Sequence, residues 1–329
     1  MSERRIRNDG GSMKKILAAR QQISIRTERK SFGFFLWRDK WLYLMLLPVI
    51  SYYIIFKYIP MYGLIIAFKD YNIFKGIHDS AWVGLDNFKT VFATDQFWKS
   101  TFNTLTLNLT TLCVNFPLTI AVALMLNEVR SVRFKKISQS LLYLPHFISW
   151  VVVAGIATNL FSQNNGSINN ILTHMGFAPI PFLNNNSWWI FTYVAANVWK
   201  EIGWGTIIYL AAITGIDESL YEAAYIDGAT KMQRIFYITL PMMKSVIIVM
   251  LILSISKMMS IGLDAPLLLG NTKVMDVSEV ISTYIYRLGI VRAEYSLSTV
   301  IGLFQSVINI IILLLADRFA KLIGEKGIL

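Results

Sequence analysis

Apolar residues gather along this chain into six runs, at 41–68, 102–126, 141–161, 188–213, 242–263 and 296–316, with polar or Gly/Pro-bearing segments between them. Each is long enough to cross a bilayer as a helix, which takes roughly 20 apolar residues. The pattern therefore predicts an all-α polytopic membrane protein with about six transmembrane helices. The runs at 141–161 and 242–263 give the weakest signal of the six. The intervening segments are short, and none has the length or patterning of a soluble domain. Residues 162–187 differ from the rest, being uncharged and crowded with Asn, Gly and Pro. They read as an ordered outer loop holding a short helix around Ile168–Met175.

Lys and Arg orient the runs. Segments on the side of the N-terminus carry 21 of them, counting Lys244 at the edge of its run, and segments on the other side 7, while Lys57, Lys200 and Lys257 fall inside runs. The excess places both termini and the segment 214–241 in the cytoplasm. This organises the chain as a basic cytoplasmic arm (1–40), a first transmembrane helix with an outer loop (41–100), a core of five further helices (101–316) and a cytoplasmic tail (317–329). The arm reads as a cationic lead held near anionic lipid. Its polarity does not resemble a cleavable signal, and the first run is expected to stay as an anchor.

Composition agrees. Of 329 residues 55% are hydrophobic and 16% charged, and the mean hydropathy is +0.51, more apolar surface than one soluble core buries. The formal charge of +11 is what cytoplasmic loops beside anionic headgroups require, and no basic patch interleaved with stacking aromatics suggests nucleic acid. Three scattered histidines and one cysteine, Cys113, offer no metal-ligand spacing, so neither a metal nor a bound cofactor is expected. A phosphate-binding GxxxxGK[ST] loop and a GxSxG nucleophile elbow are absent, as is an intramembrane carboxylate pair. Chemistry powered by ATP would have to reside on another chain.

One cytoplasmic stretch departs from the greasy background: YEAAYIDGATKMQRIFYITLP, 221–241. Asp217 and Glu218 suit the positive end of a helix dipole. Leu220, Ala223 and Ala224 share a face on which the alanines permit close approach. Gly228 is placed to end this helix in a left-handed conformation. Thr230 and Gln233 form the pattern of a capping box that opens a second helix, and Pro241 closes it and is suited to the first turn of the next run. Two short helices about a glycine turn make a compact knob, which fits either a socket on another protein or a place among the headgroups.

The same stretch resembles the cytoplasmic EAA motif of bacterial ABC importer permeases: Glu222, Ala223, Ala224, Gly228, Ile238, Leu240 and Pro241 all stand at that family's spacing. Further segments are similar to its sugar permeases, among them YIPMYGLIIAFKDYN (58–72), WVGLDNFKTVF (82–92), VWKEIGW (198–204) and IGLFQSVINIIILLLADR (301–318). The YIPMYG…AFKDY pattern most resembles permeases for oligosaccharides released from pectin, alginate and similar polysaccharides. The resemblance covers about residues 35–329 and implies a type I (MetI-like) permease core in the bacterial inner membrane, paired with a second, homologous permease. It further implies two ATPase subunits that hold ATP and Mg, an extracytoplasmic solute-binding protein, and no catalysis by this chain. Coupling helices at 217–241 would then dock on the ATPase through Glu222, Ala223, Ala224, Asp227, Gly228, Lys231, Arg234, Leu240 and Pro241.

Candidates for the substrate path are the charges inside runs, Lys200, Glu201 and Lys257, because charge at membrane depth is costly unless it faces a cavity or a partner. Lys57 is free to snorkel. Trp150, Trp199 and Tyr284 are aromatics suited either to stacking on sugar faces or to plain packing. An acidic oligosaccharide would give lysines in the path a reason. Two other functions stand beside this one, a self-sufficient ion-driven sugar carrier and a membrane-embedded glycosyl enzyme. The first would need inverted repeats and the second a carboxylate or metal cluster, and neither is seen.

Overall fold

The computed structural model of this chain describes residue 37, residues 39–322 and residue 324; most of the basic arm and the end of the tail lie outside them. The chain divides into two units at Tyr62–Gly63. The first unit is most of a helix, α1 (Lys40–Phe68), whose apolar window holds no buried residue. A helix that is hydrophobic all round belongs in lipid or against another apolar surface. Within α1 a π-helical turn, Ile54–Tyr58, immediately precedes Ile59–Met61 with Pro60.

The second unit holds everything after Tyr62. Outside the spans lies a two-stranded antiparallel ribbon, β1 (Lys69–Asp70) with β2 (Ala81–Trp82), and a short helix α2 (Asp86–Phe92). Then come α3 (Asp95–Asn127), α4 (Val132–Tyr143), α5 (Trp150–Phe161), α6 (Ser167–His174) and α7 (Asn186–Thr214). The pair expected on the cytoplasmic side is α8 (Glu218–Ile226) and α9 (Lys231–Met242). The chain ends with α10 (Lys244–Ile255), α11 (Asp264–Leu269), α12 (Ile281–Tyr286) and α13 (Tyr295–Leu322).

The six expected runs are all helical, but not all are simple spans. Among the described residues three helices, α1, α3 and α13, are long and apolar enough to cross a membrane, or five if each of two bent pairs is one span. The 33 residues of α3 extend about 50 Å. The run at 141–161 is broken: α4 together with the turn Leu144–Phe147 meets α5 at 102°. Pro145, which has no N–H to donate, sits in that turn, and the side chain of Ser149 caps the new helix by accepting from Val152 N. The run at 242–263 is broken as well, because α10 stops at Ile255 and residues 256–263 form turns and irregular backbone. α7 has the length of a span, yet its Trp, Tyr, Asn, Lys and Glu leave it less apolar than the others.

Pro241 closes the second helix of the knob, as expected, and does not open the next one. It lies in the last turn of α9, directly after a π-helical turn (Ile235–Thr239), and the chain then bends 63° into α10. The wider turn ahead of it relieves the carbonyl that its ring would otherwise meet.

α3 and α7 form the central pair, and their approach depends on small residues. A Cβ at Gly205 would stand 2.8 Å from Thr119 Cγ2 of α3, and on the α4 side of α7 one at Gly203 would stand 1.9 Å from the carbonyl oxygen of Leu142. Three buried clusters fill the unit. One surrounds Trp189 and Tyr193, a second Phe97, Ile281 and Ile301, and a third Tyr209, Ile213 and Met243. Between α10 and α13, Glu279 is buried, paired with Arg287 at 3.0 Å and hydrogen-bonded by Gln96. Burial pushes its carboxyl upward and the Arg287 charge pulls it back. Asn103 donates to the carbonyls of Asp276 and Glu279, and so ties the outer segment to α3.

Candidate functional site

The knob forms as its residues dictate. Asp217 caps α8 by accepting from the Ser219 backbone N–H, which, with the Ser219 hydroxyl, holds its carboxyl below the usual range. Gly228 makes the turn at φ +78°, a conformation in which a side chain is strained. Thr230 and Gln233 form the expected capping box at the start of α9. The hydroxyls of Tyr221 and Thr239, 2.9 Å apart, join the two helices.

The charged candidates separate into two groups. Glu222 and Arg234 line one cavity of about 520 Å³ with Lys135, Glu218 and Tyr221, and the Nε of Arg234 is buried without a hydrogen-bond partner. Lys231 instead reaches Glu128, just past the end of α3, at 3.4 Å. Asp227 caps the C-terminus of α8 and is exposed, as are Ala223 and Pro241, while Ala224 and Leu240 are half-buried.

Sequence reading weighted charges and overlooked the apolar tip. Ile226 is 84% exposed, Tyr225 73% and Met232 65%, and they flank the Gly228 turn. Large apolar groups so exposed on a polar loop mark a contact surface. The signal was their position, either side of the glycine, in a segment whose other residues are mostly polar.

The path candidates lie in two places. On α7, Lys200 is only 6% exposed. Its ammonium donates to the carbonyls of His146 (2.5 Å) and Pro145 (3.4 Å), lies 3.9 Å from Glu201 and sits 6.0 Å above the Trp150 ring. Glu201 holds His146 Nδ1 at 2.9 Å, and that imidazole stacks on Trp204 at 4.6 Å. Lys200 thus closes the break between α4 and α5. His146 was dismissed with the scattered histidines; its place after Pro145, in the interruption of an apolar run, was the available signal. Trp199 turns elsewhere, into an apolar cavity of about 360 Å³ with Ile156 and Phe161. Lys257 belongs to a separate cavity between α3 and the end of α10. Tyr284 is buried in the cluster around Phe97 and Ile281.

The chain that carries this knob on a core of long and broken apolar helices is matched by known proteins. Residues 115–325 fit the family described as binding-protein-dependent transport system inner membrane component. The chain belongs to this family. It is therefore the membrane permease of an importer rather than an enzyme. It is 44% identical over 303 residues to the polygalacturonan/rhamnogalacturonan transport system permease protein YteP of Bacillus subtilis (strain 168), covering 92% of this chain and 94% of that one. It is 42% identical to Protein LplB of the same organism, covering 88% and 92%. Among solved structures it resembles a chain of a bacterial ABC transporter involved in import of the acidic polysaccharide alginate. That likeness has 40% identity and a TM-score of 0.83, and covers 89% of this chain and 99% of the other. A second structure of a bacterial alginate ABC transporter, in complex with alginate pentasaccharide-bound periplasmic protein, matches with the same identity and TM-score.

Proposed function

We propose that this permease imports an acidic oligosaccharide of the pectin or alginate type, delivered by a binding protein, by alternating access driven from its cytoplasmic knob. The observation that carries the coupling is the apolar tip, Tyr225, Ile226 and Met232, held by two capped helices about Gly228. A rigid, exposed apolar surface on the side where ATP is available suits a socket on an ATPase subunit. ATP and Mg belong to that partner. Closure of an ATPase pair moves the knobs of this chain and of a second permease, and the spans rock between inward- and outward-facing states. Glu222 and Arg234 steady the knob from behind, across the cavity they share with Lys135. The substrate class rests on what the relatives are named for and on lysines at membrane depth.

Expression of the chain with its ATPase tests the docking. The two should purify together, and Ile226→Asp should release the ATPase while this chain stays in the membrane. Gly228→Val, strained by about 1–2 kcal/mol in the left-handed region, should leave insertion intact and uncouple ATP hydrolysis from import. Normal substrate-stimulated hydrolysis and import in that variant would refute the coupling role of the turn.

A further inference from the structure

We infer that the break at the end of α10 is where the carboxylates of the substrate are read, and that Lys257 reads them. The inference rests on the reading of this chain as an importer of acidic oligosaccharides and names the residue that selects for charge.

α10 is almost wholly apolar, KSVIIVMLILSI, and its 12 residues extend only about 18 Å, well short of a bilayer. The chain then leaves the helix at Ser256 and runs irregularly to Leu263. Irregular backbone within the membrane persists only where its polar groups are satisfied by protein or by a water-filled cavity. Here side-chain amides of two other helices satisfy them. Asn108 of α3 donates to Met258 O at 2.7 Å. Gln305 of α13 donates to Met259 O at 2.6 Å, and Asn309 accepts from Met259 N at 3.2 Å and donates to Ser260 Oγ at 2.8 Å. Three amides on one short stretch make the break a built feature.

The braced segment faces a cavity of about 160 Å³ lined by Asn108, Thr111, Asn115, Ser254, Lys257 and Ser260 among others. Asn108, Thr111 and Asn115 recur at intervals of three and four along α3, a polar stripe on a helix whose mean hydropathy reaches 2.0. The hydroxyl of Thr111 is buried without a hydrogen-bond partner. Lys257 enters this cavity from the break and is exposed. No side chain among the described residues pairs with its ammonium.

Lys200 shows the contrast. Its ammonium is buried on two backbone carbonyls beside Glu201, and a cation so enclosed, with two of its three donors engaged, is not presented to a sugar. Lys257 keeps all three donors. An uronate presents a carboxylate and ring hydroxyls, and a lysine beside a row of amides and hydroxyls complements both. The amides accept and donate to hydroxyls on any sugar, whereas the cation discriminates in favour of the acid.

The test uses the whole importer, with the second permease, the ATPase and the binding protein, in proteoliposomes. The substrates are trigalacturonate and its carboxyl-reduced neutral counterpart, each at saturating binding protein. Wild type is expected to prefer the acid. Losing a hydrogen bond to a charged group should lower acid import by Lys257→Gln about tenfold or more. Import of the neutral sugar should change little, Lys257→Arg should restore most acid import, and loaded binding protein should still stimulate ATP hydrolysis. A Lys257→Gln importer that keeps the wild-type preference for the acid would overturn the role of Lys257 and leave the substrate class standing. A wild-type importer that takes the neutral sugar and refuses the acid would overturn both. Equal loss of both sugars in Lys257→Gln, unrelieved in Lys257→Arg, would assign Lys257 to structure and refute the inference.

Discussion

At the scale of single residues, three lysines within apolar runs look alike in the sequence and have different surroundings in the fold. Lys200 is a structural cation: it holds the carbonyls of Pro145 and His146 where α4 gives way to α5. Lys200→Met would leave those two acceptors without their donor, at a cost of about 1–3 kcal/mol. The variant should melt at a lower temperature in detergent, and the change should be the same with or without an acidic oligosaccharide. A melting point equal to wild type would show that the break is held by other means. Legibility at this scale was partial for a physical reason. That a lysine is placed inside a run is visible in the sequence, but its partners come from residues 54 or 55 positions away, and only the fold brings those together. The knob was readable because Asp217, Gly228, Thr230 and Gln233 act on backbone within a few residues of themselves.

At the scale of elements the same division holds. Hydrophobic runs located every span, since length and apolarity are local properties. They did not show that two of the spans break. The break in α10 is held by amides from α3 and α13, and the 102° bend between α4 and α5 by a cation from α7. One link between elements can be tested directly. Lys231 stands in the first turn of α9, where the helix dipole disfavours a cation, and Glu128 beyond α3 compensates it at 3.4 Å. An exposed ion pair is worth at most about 1 kcal/mol, so Lys231→Glu should barely alter stability. Because the pair joins the knob to the longest helix, the number of ATP molecules hydrolysed per sugar imported should rise in Lys231→Glu. Adding Glu128→Lys should bring it back towards wild type. If the double variant is no better coupled than either single one, the pair does not transmit motion.

At the scale of the whole molecule, function depends on which side of the membrane each feature occupies. The excess of Lys and Arg puts 214–241 inside and 162–187 outside. The fold gives both segments exposed positions suited to labelling, Asp227 at the end of α8 and Asn165 before α6. Cys113 is the chain's single cysteine and is exposed, so Cys113→Ser provides a thiol-free background. In that background Asn165→Cys should react with a membrane-impermeant maleimide in intact cells. Asp227→Cys should react only after the inner membrane is permeabilised. The opposite pattern would put the apolar tip of the knob on the face where there is no ATPase to receive it, and coupling through Tyr225, Ile226 and Met232 would fall with it. Reaction at Asp227 only after permeabilisation, and further protected by co-expressed ATPase, would join the topology to the docking surface in one measurement, because the label would then report both the side of the membrane and the partner that covers it.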